Sequence, residues 1–365
     1  MLQVHSVGPA DREDQARLFG RCFQKAPHVE ALRWRYDRNP HGQAVSLVLR
    51  GEDLRAVCSY AYVPREAVCR DAAGAVATGV IGQQGDVMTD PDWQRKGLAR
   101  RLVRDCTRET AAAGFALNWG FPNRQSAPVF LKFGWKSVGV IRPKRHILKA
   151  DAAARSRRLA DGRLASLKLG LDRRRCSRAR RALGSLPDGF ELRLIERFEP
   201  FAARVEALSK KVEARFPFML RREAAFLDWR FVDTPSKVHR SFGLFSPDGE
   251  LEGYFVIQPP FAGGPEGVGY LVELLCPAEE LVKPLIREAL VALDAAGASV
   301  VEAWSVDASW WQEHLVAAGF LDAKQQNHLF VYCFVLDPDH PLASAALDAS
   351  AWYLTDGDRD DELMG

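Results

Sequence analysis

Thr89-Asp90-Pro91-Asp92-Trp93-Gln94-Arg95-Lys96-Gly97-Leu98-Ala99 lies between two patterns of different period. Before it, Val76 to Met88 is a β-rich run. After it, Leu98, Leu102, Val103 and Cys106 recur at helical spacing and predict a helix from about Gly97 to Ala113. A strand therefore runs out, turns at Asp90-Pro91 and enters a helix through a glycine preceded by two cations. The first N–H groups of a helix have no intrahelical acceptor, and the dipole adds partial positive charge there. Such a start cradles anions such as a pyrophosphate. Gly97 would let the backbone come close, with Arg95 and Lys96 adding charge.

Outward from this segment the pattern alternates. An amphipathic helix is expected over Asp11 to Gln24, with Leu18, Cys22 and Phe23 on one face, followed by strands Val45 to Leu49 and Val57 to Val63. Beyond the central helix come a strand, Phe115 to Trp119, a short helix, Arg124 to Phe133, and a last strand, Trp135 to Leu148. Short turns between the early strands predict an α/β (α+β) fold with a mixed, mostly antiparallel sheet flanked by helices.

The chain also repeats itself. Trp34-Arg35-Tyr36 returns as Trp229-Arg230-Phe231, Ala112-Ala113-Gly114 as Ala295-Ala296-Gly297, and Lys132-Phe133-Gly134-Trp135 as Ala317-Ala318-Gly319-Phe320. The offsets are 195, 183 and 185 residues, as a tandem duplication with small insertions requires. The expected organisation is a first domain over 1–150, a basic helical linker over 151–189, a second domain over 190–340 and an acidic tail over 341–365. The linker stands out by charge. From Arg142 to Arg181 there are fifteen Lys/Arg against three Asp, so a net charge of +3 for the whole chain leaves −9 for the rest. Leu159, Leu164, Leu167 and Leu171 interleave with the arginines, which suits a solvated helical connector or a contact with anionic membrane or a phosphorylated carrier. Aromatic interleaving and nucleic-acid motifs are absent from it, so nucleic acid is not an expected partner.

Composition narrows the class. The 365 residues are 47% hydrophobic and 27% charged, which excludes a mostly disordered chain. No apolar run approaches the roughly 20 residues of a membrane span. The first residues carry Asp11, Glu13 and Asp14 and lack the apolar stretch of a signal peptide. Seven scattered cysteines without C-x-x-C, and eight histidines without H-E-x-x-H, give no metal site and suit a reducing, cytoplasmic setting.

With its flanking pattern, Gln94-Arg95-Lys96-Gly97-Leu98-Ala99 resembles the Q/R-x-x-G-x-G/A acyl-CoA signature of the GNAT acyltransferase superfamily, with Ala99 in place of the last glycine. Asn118 to Gly134, with Gly120-Phe121-Pro122-Asn123-Arg124-Gln125-Ser126, resembles the next family segment. The whole chain is similar to a tandem subgroup often encoded among surface-polysaccharide genes, so two tandem domains of this kind are expected.

The resemblance implies a mechanism. The strand of Val87 and Met88 would splay from the strand near Asn118, and an acyl-CoA, most simply acetyl-CoA, would lie in the gap along Thr89. The backbone N–H near Met88 would polarise the thioester, Gln94 to Ala99 would hold the pyrophosphate, and Asn123 and Ser126 would approach the pantetheine arm. The acceptor would be a small-molecule primary amine, an amino sugar or a cationic compound such as an aminoglycoside, with Asp86 as general base. Gln83 and Gln84 could bind substrate. The family's usual acid, a tyrosine, is here Phe130, which lines the same place without a proton to give. Tyr60 and Tyr62 are substitute donors; the contrary reading is a CoA-binding sensor without catalysis. The second copy carries Pro277-Ala278-Glu279-Glu280-Leu281-Val282 at the cradle position, and its two carboxylates would repel pyrophosphate, so one CoA site is expected.

Overall fold

The computed structural model describes residues 2–24, 28–71, 73–124, 126–151, 154, 163–236, 238–323 and 329–359. Arg155, Arg157, Arg158 and Leu159 of the basic linker, and Gln125, lie outside them.

The first half contributes β1 (Gln3–Ser6), α1 (Arg12–Phe23), α2 (Val29–Asp37), β2 (Val45–Arg50), β3 (Ala56–Arg70), β4 (Val76–Gln84), β5 (Met88–Thr89), α3 (Leu98–Ala112), β6 (Leu117–Gly120), α4 (Ala127–Lys132) and β7 (Lys136–Ile147). After the linker helix α5 (Arg163–Arg181), the second half contributes β8 (Glu191–Ile195), α6 (Ala202–Glu213), β9 (Phe218–Leu220), α7 (Ala224–Leu227), β10 (Arg240–Phe245), β11 (Leu251–Gln258), β12 (Val268–Leu275), α8 (Glu279–Ala295), β13 (Val300–Val306), α9 (Trp310–Ala317), β14 (Leu321–Asp322) and β15 (Leu329–Val335). Near the end lie α10 (Leu342–Ala345) and β16 (Trp352–Tyr353).

Among the described residues each half has antiparallel strands and a parallel pair in the main sheet path, β4 with β6 and β12 with β13, and the short β16 adds a parallel pairing with β9. Parallel neighbours need a crossover, and α3 and α8 supply it. α3 buries Leu98, Leu102, Val103 and Cys106, the helical-spacing residues of the sequence, and also Thr110, on one face of the sheet. The expected single strand Val76 to Met88 is two strands, because the chain leaves the β4 line at Gly85–Val87.

The halves are separate in sequence but not in the sheet. Its order is β1-β2-β3-β4-β6-β15-β7-β13-β12-β11-β10-β8. β15, from the second half, lies between β6 and β7 of the first, pairing Tyr332 with Gly120 and Val331 with Gly139. β7 pairs on its other edge with β13, from Ile141↔Val306 to Ile147↔Val300. The last strand of each half, β7 and β15, thus lies against strands of the other half.

Within the segment expected as an acidic tail, Trp352 to Asp358 is buried. Trp352 and Tyr353 are buried, and the Asp358 carboxylate bridges Arg65 of the first half (3.3 Å) and Arg222 of the second (2.7 Å). Arg222 also faces Glu273, whose carboxylate accepts from Thr355 Oγ1 at 2.6 Å. Burial pushes the Glu273 carboxyl above its usual range, against the pull of Arg222. Carboxylates go inside only when paired, and paired with buried arginines these join the halves.

Candidate active site

The sheet opens where the quoted segment begins. β3 pairs with β4 as far as Tyr62↔Gln84 and then with β5 at Ser59↔Met88 and Cys58↔Thr89. On its other edge β4 meets β6 at Gly82↔Asn118 and Gln83↔Trp119. Gly120 is the last close approach, since a Cβ there would lie 2.5 Å from the Cβ of Gln84. Beyond it, β5 pairs only with β3 among the described residues, and the chain after Gly120 turns away into α4. The result is a V between 85–89 and 121–124. Gln84 lies at its apex with Oε1 buried and without a partner among the described residues.

α3 starts beside this opening. Gly97 has φ +76° and caps the helix, and Arg95 has φ +62°. Left-handed backbone at Gly97 explains the glycine, and no atom lies within 4 Å of where a Cβ would point. The first turn of α3 carries no acid. Gln94, Arg95, Lys96 and Gly97 are exposed, Ala99 is half-buried and Leu98 is anchored in the core. The two acids upstream are held elsewhere: Arg21 of α1 binds Asp90 Oδ1 at 3.0 Å and Asp92 Oδ2 at 2.8 Å. The same arginine holds the Asp90 carboxyl below its usual range. Gln94 Nε2 donates to the Thr89 carbonyl at 3.4 Å, and Lys96 lies 4.4 Å over the Trp93 ring. Lys96 Nζ also donates to the Asp92 carbonyl at 3.1 Å. The loop therefore presents an exposed helix start flanked by two exposed cations.

Asp86, in the strand break, is not free. Tyr36 Oη donates to its Oδ2 at 2.7 Å and accepts from its N–H at 3.3 Å, and Arg35 stands 3.6 Å from the same carboxylate oxygen. Complete burial, and secondarily Asp86, push the Tyr36 phenol well above its usual range. Tyr36 thus stays a proton donor to Asp86, which is 15% exposed. Of its neighbours, Val87 is half-buried and Met88 is buried. Gln83 is committed to structure: it accepts from Arg65 at 3.0 Å and donates to the Asp358 carbonyl at 2.7 Å.

α4 carries the other expected residues. Asn123 Oδ1 accepts from the Ser126 N–H at 3.0 Å and from its hydroxyl at 3.2 Å, so both shape the turn into the helix. Phe130 is fully buried, 5.0 Å from the Trp135 ring and 6.1 Å from that of Tyr60. It is a wall packed behind the cleft rather than a surface residue. Tyr62, the other substitute donor, pairs with Thr107 Oγ1 at 3.2 Å, and burial pushes its phenol up. Tyr332 joins this cluster from β15. No local pattern marks it, because the strand that carries it belongs to the other half. Tyr36 and Arg35 stood out only as a repeat; their contact with Asp86 needs the fold.

In the second half the corresponding helix start answers itself. Glu279, the first residue of α8, pairs with Arg215 at 2.5 Å and His314 at 2.8 Å, and accepts from Trp310 Nε1 at 2.9 Å. The cations and donors around this helix start are thus already engaged by a protein carboxylate. No group of three His, Cys, Asp or Glu among the described residues could hold a metal.

Residues 3–138 match the family model described as an acetyltransferase (GNAT) domain. No curated protein matches the sequence. A solved protein from Enterococcus faecalis, described as a probable N-acyltransferase, superposes over 94% of this chain and 74% of its own at TM-score 0.64 and 13% identity. Saccharomyces cerevisiae N-myristoyltransferase with bound myristoyl-CoA superposes over 92% of this chain and 79% of its own at TM-score 0.60 and 16% identity. A tandem GNAT protein from the clavulanic acid biosynthesis pathway is covered completely by 93% of this chain, at TM-score 0.55 and 14% identity. At such identities these likenesses speak for the fold alone.

Proposed function

Residues 3–138 match a GNAT acetyltransferase domain, and from that premise we propose that the protein transfers an acyl group from acyl-CoA, acetyl-CoA first among them, to a primary amine at one site in the first half. The start of α3 carries this reading: an acid-free first turn, open space above Gly97, and two exposed cations at the mouth of a split sheet.

The pyrophosphate would rest on the N–H groups from Lys96 to Arg100, with Arg95 and Lys96 beside it. The pantetheine arm would follow the edge of β5, past Val87, Met88 and Thr89. Its amides would meet the turn of Asn123 and Ser126, and Gln84 Oε1 is a buried acceptor suited to a substrate N–H. The amine nitrogen attacks the thioester carbonyl carbon, the C–S bond breaks, and the thiolate leaves. The proton lost by the amine passes to the Asp86 carboxylate, directly or through a water. No phenol stands at Phe130, so the thiolate leaves without a proton from that position; a thiol is acidic enough for this. The acceptor we favour is an amino sugar.

One observation favours a second reading, in which the protein binds CoA without turnover: Asp86 is already bonded to Tyr36 and close to Arg35. Thiol release from acetyl-CoA across a panel of amino sugars and aminoglycosides separates the two. Turnover that falls by about 10²–10⁴-fold in Asp86→Asn, with CoA affinity kept, is the expected result. CoA binding with no thiol release on any amine would leave the sensor.

A further inference from the structure

α5 is fixed by one face and bare on the other. Leu169 and Cys176 are buried with Ile147, Val268 and Val300. Ala179 presses on Gly319 so closely that a side chain on the glycine would overlap it, and Arg180 pairs with Asp294 at 3.0 Å. The opposite face carries Leu167 and Leu171, 66% and 62% exposed, followed by exposed Arg174, Arg178 and Arg181. Steps of three and four residues put these five on one stripe. Lys168, Arg173 and Arg175 flank it, also exposed. From Leu167 to Arg181 there are seven cations and a single acid, Asp172.

We propose that this outer face of α5 docks on an anionic lipid surface. Charge complementarity selects the partner, because the cations are concentrated here while the chain outside 142–181 is net negative. The leucines select among anionic partners. Two leucines that far exposed, one turn apart, lose water contact only against an apolar phase, and lipid offers one beneath its headgroups. A nucleic acid would be read with aromatic or amide side chains, and Arg163–Arg181 contains no aromatic, Asn or Gln. At about 1.5 Å per residue the helix is roughly 28 Å long. It would lie flat, with Leu167 and Leu171 dipping below the headgroups and the arginines of the last turns among the phosphates. The packed inner face holds that orientation against the second half.

The test uses the full chain with phosphatidylcholine vesicles, and with phosphatidylcholine mixed with phosphatidylglycerol, followed by co-sedimentation. The expected result is binding to the mixed vesicles alone, weakening as salt rises. Replacing Arg174, Arg175 and Arg178 by Glu should lower the apparent affinity by at least 10²-fold, at roughly fivefold per cation. Leu167→Gln with Leu171→Gln should lower it by about tenfold or more. Circular dichroism and Tm should be unchanged in both sets, since the altered side chains are exposed. Equal binding to both vesicle types, or to neither, overturns the proposal. So does loss through the arginines with none through the leucines, together with full competition by inorganic polyphosphate or a short RNA, which would make the face a site for soluble polyanions.

Discussion

Trp34 and Trp229 exchange hydrogen bonds: each indole Nε1–H donates to the other's backbone carbonyl, at 2.7 and 2.8 Å, and the rings stack 4.7 Å apart. These are the equivalent residues of the two Trp-Arg-aromatic repeats, so the two copies meet through the feature that reveals the duplication. Both tryptophans are buried. Replacing either tryptophan by Phe should cost about 1–3 kcal/mol, the usual range for leaving a buried polar group unpaired. The pair is coupled, so the double replacement should cost clearly less than the sum. Denaturant unfolding of the four proteins measures this; strict additivity would mean that the two bonds act independently.

Gly97 separates strain from cofactor loss. Gly97→Ala places a Cβ in open space and keeps charge constant, so only the left-handed backbone penalises it, by roughly 1–2 kcal/mol. Gly97→Glu adds a carboxylate at the mouth of the cradle. Acetyl-CoA should raise Tm in the wild type by mass action, raise it in Gly97→Ala, and leave Gly97→Glu unmoved. Glu280→Lys, at the corresponding helix of the second half, should keep the full wild-type shift. A shift kept in Gly97→Glu, or lost in Glu280→Lys, would move the site out of the first half.

Phe130→Tyr tests the missing phenol. The ring is fully buried between Trp135 and Tyr60, so the new hydroxyl must find a partner in the cleft or remain unpaired. If it reaches the departing sulfur, turnover should equal or exceed that of wild type with poor acceptors, at little loss of stability. If it points into the wall, Tm should fall by the equivalent of about 1–3 kcal/mol while kcat changes little. Thiol release and thermal unfolding on the same sample decide between them, and abolished activity in a folded variant would put Phe130 in the substrate pocket instead.

The local elements were readable because local physics sets them. Leu98, Leu102, Val103 and Cys106 announce α3, and the Gly97 that caps it is where a left-handed residue was needed. The buried stripe of α1 differs from the expected Leu18, Cys22 and Phe23: Arg12, Gln15, Ala16 and Phe19 are buried with Leu18, while Cys22 and Phe23 are only half-buried. Arg12 is inside because Asp37 neutralises it at 2.6 Å, a partner 25 residues away that periodicity cannot see. The same limit hid the pairing of the last strands across the halves. β7 and β15 have ordinary strand patterns, and nothing in an alternation of apolar residues says which half supplies the neighbour. At the site, the cradle is one continuous segment and could be read; Tyr36, Arg35 and Tyr332 come from distant segments and could not.

His146 makes the shared strand sensitive to acid. It lies on β7 opposite Val301, fully buried, with its ring 5.3 Å from that of Phe320. Burial, reinforced by nearby Arg180, pushes its pKa down to about 3. The unfolded chain would take up a proton near pH 6.5 that the folded chain refuses. With the folded pKa below the unfolded one, stability is full above about pH 6.5 and is lost as pH falls toward 3. The slope cannot exceed about 1.4 kcal/mol per pH unit for one group, so between pH 6.5 and 4.5 the loss is at most about 3 kcal/mol. Carboxylates add their own acid limb, so the comparison is with His146→Leu, which keeps an apolar side chain in the same place. The stability difference between wild type and His146→Leu should shift steadily in favour of the variant as pH is lowered from 7 to 4.5. Unfolding curves at five or six pH values measure it, and parallel profiles would mean that His146 is protonated at little cost in the folded chain.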